Sequence, residues 1–177
     1  MKKKILAFGA SNSSTSINRQ LASFAANQIQ DAEVTLLDLN DYEMPIYGID
    51  KEKATGIPEK AIAFKQLIKD SDALVISFAE HNGAYSAAFK NILDWISRIE
   101  KDVWANNPML LLATSPGARG GSTVLEIATN KFKFMNQNSI ETFSLPSFND
   151  NFKENTITDD SLATQFNQVL QTFQEAI

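Results

Sequence analysis

Short apolar runs alternate with longer amphipathic stretches along the whole chain. The apolar runs have the length of strands and occupy residues 4–10, 33–39, 72–78, 108–115 and 139–145. Apolar residues recur at helical spacing in the stretches between and after them, at 18–29, 57–69, 86–98, 121–134 and 159–176. This alternation predicts an α/β fold in which helices cover both faces of a parallel sheet.

The connectivity of that sheet follows in part from the same pattern. The first, third and fourth apolar runs are nearly continuous, which is typical of strands buried on both faces. Right-handed crossovers then predict a doubly wound, five-stranded sheet, for which the order 2-1-3-4-5 is a common solution. No repeat, low-complexity segment or linker divides the chain, so we expect a single domain over residues 1–177. Residues 42–56 and 146–158 are predicted to be surface excursions.

Composition excludes several classes of site and partner. The chain has no cysteine and one histidine, which rules out disulfides, thiolate metal sites and a His-rich metal site, and no metal is predicted. The net charge of −5 argues against broad nucleic-acid binding. No stretch approaches the roughly 18–20 apolar residues of a membrane span. We therefore expect a cytoplasmic protein without nucleic-acid or membrane partners, in agreement with the absence of cysteine.

The loop after the first strand is rich in hydrogen-bond donors. It reads GASNSSTSIN, residues 9–18, with five hydroxyl side chains directly before a helix. The first N–H groups of a helix lack internal partners and lie at its positive end, so this loop predicts a phosphate cradle. A helix cap alone would need one such side chain. The loop lacks both a Walker A motif and the G-x-G-x-x-G motif, and the absence of the latter disfavours a dinucleotide bound in the Rossmann manner. The loop is better suited to the phosphate of a mononucleotide, for which FMN is the leading candidate.

Two further loops are predicted at the same sheet edge, where ligands of open α/β sheets bind. After the third strand, the backbone N–H groups of residues 80–83 could donate to a flat heterocycle, and Gly83 permits a positive φ. After the fourth strand, TSPGARGGS contains three glycines. His81 is better explained as a polar surface residue than as a catalyst. Glu80 has no partner carboxylate or metal cluster, so no acid–base catalysis is predicted.

These loops resemble a known family. AEHNGAYSAAFKNILDW, residues 79–95, resembles the P-E-Y-N-x-S-x-P-x-x-L-K-N-x-x-D-W signature of the NADPH-dependent FMN reductases, which are flavodoxin-like and include quinone, azo-dye and chromate reductases. GASNSSTSIN resembles their G-S-x-R-x-x-S-x-N phosphate loop, and SPGARGG resembles their third, glycine-rich loop. The family's arginine falls at Ser13, which leaves Arg19 or Arg119 as the candidate cation. His81 stands where the signature has tyrosine. The signature residues that match in register are Glu80, Asn82, Lys90, Asn91, Asp94 and Trp95.

The resemblance implies noncovalent FMN, with NADPH as electron donor and a quinone, free flavin or similar small molecule as acceptor. It implies no catalytic side chain, because the flavin N5 atom carries the chemistry, and it implies a homodimer or homotetramer. The implied cofactor-binding residues lie in the three loops. They are Ser11, Ser13, Ser16, Ile17 and Asn18 at the phosphate, Ala79, Glu80, His81, Asn82 and Gly83 along the ring, and Ser115 and Gly117 nearby.

Two alternatives to a reductase stay open at this point. One is a flavodoxin-like electron carrier that passes single electrons to a protein partner. The other is a flavin-binding or regulatory protein without reductase turnover. The residues also leave open the physiological acceptor and the choice between NADPH and NADH.

Overall fold

The computed structural model describes residues 2–177, and its core is a five-stranded parallel sheet. In chain order, the strands of this sheet and the short strands outside it are β1 (Lys3–Ala10), β2 (Ala32–Leu37), β3 (Ala73–Phe78), β4 (Glu80–His81), β5 (Ala84–Tyr85), β6 (Met109–Thr114), β7 (Ile140–Leu145), β8 (Phe152–Lys153) and β9 (Thr156–Ile157). Strands β4, β5, β8 and β9 lie outside the sheet. The helices are α1 (Ile17–Asn27), α2 (Ile49–Thr55), α3 (Glu59–Lys69), α4 (Ala87–Ile96), α5 (Ser122–Met135), α6 (Phe148–Asn151) and α7 (Asp160–Glu175), with a 3-10 helix at Leu39–Tyr42.

The sheet order is β2-β1-β3-β6-β7, and every pair in it is parallel. The predicted flavodoxin-like, doubly wound fold is therefore confirmed, with β6 and β7 as the predicted fourth and fifth strands. The second strand ends earlier than predicted because Asp38 caps the 3-10 helix, accepting from the Asn40 N–H at 2.9 Å. This backbone hydrogen bond is the main reason that the pKa of Asp38 lies below its usual value.

Two apolar cores lie on opposite faces of the sheet. Along β1, Leu6 and Phe8 face one core, while Ile5 and Ala7 face the other. Helices α3, α4 and α5 cover the first face, and α1 and α7 cover the second. The central strands β3 and β6 are buried at all positions, which explains their continuous apolar runs.

The excursion at residues 42–56 is attached to α4 by two residues of the signature. The Asn91 side chain accepts from the Tyr47 N–H at 2.8 Å and donates to the carbonyls of Met44 and Pro45 at 3.2 and 3.1 Å. The Trp95 indole donates to the same Pro45 carbonyl at 2.8 Å. These two signature residues therefore hold a backbone segment in place.

The excursion at residues 146–158 differs from the prediction. It contains α6 and the β8–β9 hairpin, and its apolar side chains Phe148, Phe152 and Ile157 are buried in the core beside α1 and α7. Describing this segment as a surface excursion is wrong for these residues, because short irregular segments show no periodicity from which burial can be predicted.

Within residues 2–177, no helix combines the length and apolar character needed to cross a bilayer. In the same range, no group of three or more His, Asp and Glu side chains is arranged to hold a metal ion. One sheet joins the two cores, and the assignment of residues 1–177 to a single domain stays a prediction.

Candidate functional site

A cleft of about 230 Å³ opens at the carboxyl ends of β1, β3 and β6. Of the residues predicted to bind a cofactor, all but Asn82, Gly83 and Gly117 line it. Their roles in binding stay predictions. Thr15, Thr114 and Pro116 were not among the residues predicted individually, although each belongs to a loop that was predicted at this edge. The lining residues are Ser11, Ser13, Thr15, Ser16, Ile17, Asn18, Ala79, Glu80, His81, Thr114, Ser115 and Pro116.

The first loop presents hydroxyl and amide donors at one end of the cleft. Ser16 caps α1, because its Oγ accepts from the backbone amide three residues later at 3.1 Å. The Ser11 Oγ similarly accepts from the Ser13 N–H at 3.2 Å. Each hydroxyl keeps its own proton to donate, and helical geometry leaves the amides of Ile17 and Asn18 without an intrahelical partner. This donor set suits an anion.

Neither candidate arginine reaches this cleft. The Arg19 guanidinium lies 3.3 Å from the Asp38 carboxylate, and Arg119 donates to the Thr123 hydroxyl. The residues that line the cleft include no lysine or arginine. An anion bound there would therefore meet neutral donors at Ser13 and its neighbours, where the related signature has a cation.

The Asn18 side chain joins the ends of two strands, β3 and β6, behind the cleft. Its Oδ1 accepts from the Ser77 hydroxyl at 2.7 Å and from the Thr114 N–H at 3.0 Å. Its Nδ2 donates to the Thr114 carbonyl at 3.1 Å, and the residue is 3% exposed. The side chain is thus committed to β3 and β6, which leaves the backbone amide of Asn18 for a ligand.

The second loop is a tight hairpin formed by β4 and β5. Asn82 and Gly83 form its turn, with φ values of 52° and 74°, which is the signature of a type I′ turn. Sequence reasoning treated residues 80–83 as a loop, but an Asn-Gly dipeptide is a strong hairpin signal that could have revealed the turn. Asn82 and Gly83 are not among the residues that line the cleft, while His81 lines it and is exposed.

Two side chains tie this hairpin to its neighbours. Buried Ser86 caps α4 by accepting from the Phe89 N–H at 3.2 Å, and its hydroxyl donates to the Ala10 carbonyl at 2.8 Å. The Glu80 carboxylate accepts from the Val124 N–H in the first turn of α5 at 3.1 Å. The three loops around the cleft are therefore connected by side chains of the loops themselves.

The third loop is shaped by its glycines. Gly120 and Gly121 have φ values of 56° and 71°, and a Cβ on Gly120 would lie 2.5 Å from the Ser144 Oγ. The Gly117 carbonyl accepts from the amides of Gly120 and Ser147 at 3.1 and 3.0 Å. Gly117 thus holds a turn of this loop, and its predicted place near the cofactor stays a prediction.

The hydroxyl of Tyr85, a residue of β5 in the hairpin, is buried and has no hydrogen-bond partner among residues 2–177. The Tyr85 ring packs against Phe78 and Phe89, with centroids 5.7 and 5.2 Å away. Burial raises the pKa of Tyr85 to about 12. The hydroxyl therefore costs folding free energy that a phenylalanine would not.

Tyr85→Phe is expected to raise the free energy of unfolding at pH 7 by about 1 kcal/mol, because it removes an unpaired buried hydroxyl. Urea unfolding measures the change. Tyr47→Phe is the matched control, since the Tyr47 hydroxyl donates to Glu52 at 3.0 Å and its removal should lower stability.

The pH dependence has a defined sign. The unfolded tyrosine ionises near 10.0 and the folded one near 12, so the wild type should lose stability relative to Tyr85→Phe as the pH rises through this window. Equal destabilisation by the two Tyr→Phe changes would contradict the burial of an unpaired hydroxyl.

Comparison with known proteins gives consistent matches. A family model described as NADPH-dependent FMN reductase matches residues 3–150. An uncharacterized protein of Mycoplasma pneumoniae is 33% identical over 159 residues, which are 86% of this chain and 92% of that protein. A 2-hydroxy-1,4-benzoquinone reductase of a Burkholderia species is 37% identical over 107 residues, which are 59% of this chain and 56% of that enzyme. The match thus spans about half the length of the Burkholderia enzyme.

Solved structures share the fold. The flavoenzyme NAD(P)H:(acceptor) oxidoreductase FerB of Paracoccus denitrificans superposes with a TM-score of 0.75. The superposition covers 98% of this chain and 96% of that chain at 22% sequence identity. At this identity the likeness shows the fold alone.

Proposed function

Because the chain belongs to the NADPH-dependent FMN reductase family, we propose that it is an FMN-dependent NAD(P)H oxidoreductase. In this proposal it reduces a quinone, a free flavin or a similar small acceptor. The observation that carries the proposal is the cleft at the ends of β1, β3 and β6, with hydroxyl and amide donors at the start of α1. When bound, FMN would supply the redox chemistry: it would accept a hydride from NADPH and pass the two electrons on to the acceptor.

The phosphate would be held at the first loop by neutral donors. The hydroxyls of Ser11 and Ser16 keep their protons free while their oxygens accept from the backbone. The amides of Ile17 and Asn18 add two donors at the positive end of α1. Hydroxyls and oriented amides suffice for phosphate binding at a helix N-terminus, so the residues present fit the group although no arginine lines the cleft.

The ring would lie along the second and third loops. Ala79 and Glu80 line the cleft on one side and Ser115 on another, and the hairpin would present backbone N–H groups to the ring edge. Those amides would stabilise negative charge on a reduced ring because they are already oriented. In this proposal no side chain of the chain needs to transfer a proton.

The test of the proposed function is spectroscopic. Purified protein mixed with FMN and freed of excess is expected to show a flavin spectrum, which NADPH should bleach in the absence of oxygen. Adding menadione should then restore the oxidised spectrum. A protein that binds FMN but is not bleached by NADPH or NADH would support the electron carrier, and one that binds no FMN would overturn the proposal.

A comparison of two flavins isolates the phosphate cradle. Riboflavin has the ring of FMN without the phosphate, so it should bind at least about tenfold more weakly if charge-assisted hydrogen bonds form at the first loop. Equal affinities for the two flavins would contradict the assignment of the phosphate to this loop.

Further parts of the proposal rest on the family resemblance and the composition. The reaction is proposed to be ping-pong, which predicts parallel double-reciprocal plots when the acceptor concentration is varied at several NADPH concentrations. The protein is proposed to be a single-domain homodimer or homotetramer of the cytoplasm. Sedimentation velocity measures the oligomeric state.

A further inference from the structure

Helix α5 begins without a cap of its own. Its N-cap residue is Gly121, which has no side chain to accept from the first turn, and the first turn contains no acidic residue. Helices are normally capped by a side chain just before their first turn. Here the Val124 amide is instead satisfied by Glu80, which is 44 residues away in sequence, at 3.1 Å.

The contact also places a negative charge at the positive end of α5. A carboxylate near the first turn interacts favourably with the helix dipole and with the free amides. Glu80 is therefore both a hydrogen-bond acceptor and the counter-charge for this helix end. It belongs to β4, so the same contact holds one end of the hairpin against α5.

The turn of the hairpin also lies close to α5. A Cβ built on Gly83 would lie 4.0 Å from the Thr123 methyl group, so the turn lies just above the first turn of α5. Between these two contacts lie His81 and Asn82, the centre of the hairpin. The segment proposed to face the flavin ring is therefore fixed to α5 by a hydrogen bond at Glu80, and its turn lies close to α5 at Gly83.

From these contacts we infer that Glu80 is a positioning residue, which caps α5 from a distance and thereby fixes the hairpin at the edge of the cofactor cleft. The expected effect on FMN binding rests on the proposed function, whereas the contact between Glu80 and α5 does not depend on it. A carboxylate that lines the cleft would otherwise be interpreted as a general base. Its bond to the Val124 amide assigns it to the framework instead.

The experiment compares Glu80→Ala and Glu80→Gln with the wild type. The glutamine side-chain carbonyl can still accept from Val124, so Glu80→Gln should keep FMN affinity within about threefold of the wild type. Glu80→Ala loses the acceptor and should weaken FMN binding about tenfold. FMN affinity is measured by fluorescence titration.

Asp159 provides a matched control at another helix. It caps α7 by accepting from the Leu162 N–H at 2.8 Å and is not among the residues that line the cleft. Asp159→Ala loses the same kind of cap and should lower thermal stability while leaving FMN affinity unchanged. If Asp159→Ala weakens FMN binding as much as Glu80→Ala, the effect reflects general stability and the inference is overturned.

Hydrogen exchange of the cofactor-free protein separates this inference from the proposed function. Glu80→Ala should accelerate exchange about tenfold at the amides of residues 80–85 and 122–125, and Glu80→Gln should restore most of the protection. This result holds even if the protein binds no flavin. Unchanged exchange in Glu80→Ala, or equal losses of FMN affinity in both Glu80 variants, would overturn the role of Glu80 as a cap.

Discussion

Asn18→Ala is expected to lower the free energy of unfolding by about 3–5 kcal/mol, the largest effect of a single side-chain truncation at this site. The change removes three hydrogen bonds that Asn18 makes to Ser77 and Thr114 in the interior. The Thr114 N–H and carbonyl and the Ser77 hydroxyl would be left buried without this partner, and each such group costs about 1–3 kcal/mol. Urea unfolding followed by circular dichroism measures the loss.

The same change should also abolish measurable FMN binding. Asn18 holds the start of α1 against β3 and β6, so its loss would move the amides proposed to bind the phosphate. Asn27→Ala is the matched control, because Asn27 lies on the same helix but is exposed and bonds to Ser23 within that helix. We expect Asn27→Ala to change stability by less than about 0.5 kcal/mol. If both variants lost similar amounts of stability and FMN affinity, the hydrogen bonds of Asn18 would not be important for the site.

Gly9→Ala is expected to lower the free energy of unfolding by about 3 kcal/mol and to weaken FMN binding strongly. A Cβ at Gly9 would lie 2.4 Å from the Arg19 backbone nitrogen, 2.7 Å from its Cα and 2.9 Å from the Asn18 carbonyl carbon. All three contacts are with backbone atoms, so no side-chain rotation can relieve them. Helix α1 would have to move away from β1 at the point where the cleft begins.

Gly48→Ala is the control for this substitution. Nothing lies within 4 Å of a Cβ built at Gly48, and its φ of −162° is extended backbone that alanine readily adopts. The change should alter stability by less than about 0.5 kcal/mol. Thermal unfolding compares the two variants, and a Gly9→Ala protein as stable as Gly48→Ala would refute the close approach of α1 to β1.

Much of the fold could be predicted because it depends on properties of consecutive residues. The continuous apolar runs of β3 and β6 are directly visible in the chain, and both strands are buried at every position. The loops after β1, β3 and β6 could likewise be assigned to one edge, since parallel strands end on the same side of a sheet. The Asn-Gly signal of the hairpin at Asn82 is present in the sequence. The hairpin was nevertheless not predicted, because its flanking strands are two residues each and show no alternation of apolar and polar residues.

The structure adds contacts of individual site residues that their place in a motif did not indicate. Asn18 and Gly117 were assigned to cofactor binding by resemblance, and the structure shows in addition that the Asn18 side chain joins strands and that Gly117 shapes a turn. Asn91 and Trp95, which carry much of the signature, hold the segment at Met44 and Pro45. A motif shows that a residue type recurs at a position, but its physical role depends on which atoms it meets.

The architecture, the sheet edge that carries the site and the chemical character of each loop could all be predicted from the order of the residues. These are short-range properties, encoded in the spacing of apolar residues and the composition of single loops. In contrast, the hydrogen bonds between Asn18 and Thr114 and between Glu80 and Val124 join residues that are 96 and 44 positions apart, and they become visible only in the folded protein. Such pairs form because the crossovers bring distant loop ends together, and no local pattern in the chain specifies which side chain then accepts from which amide.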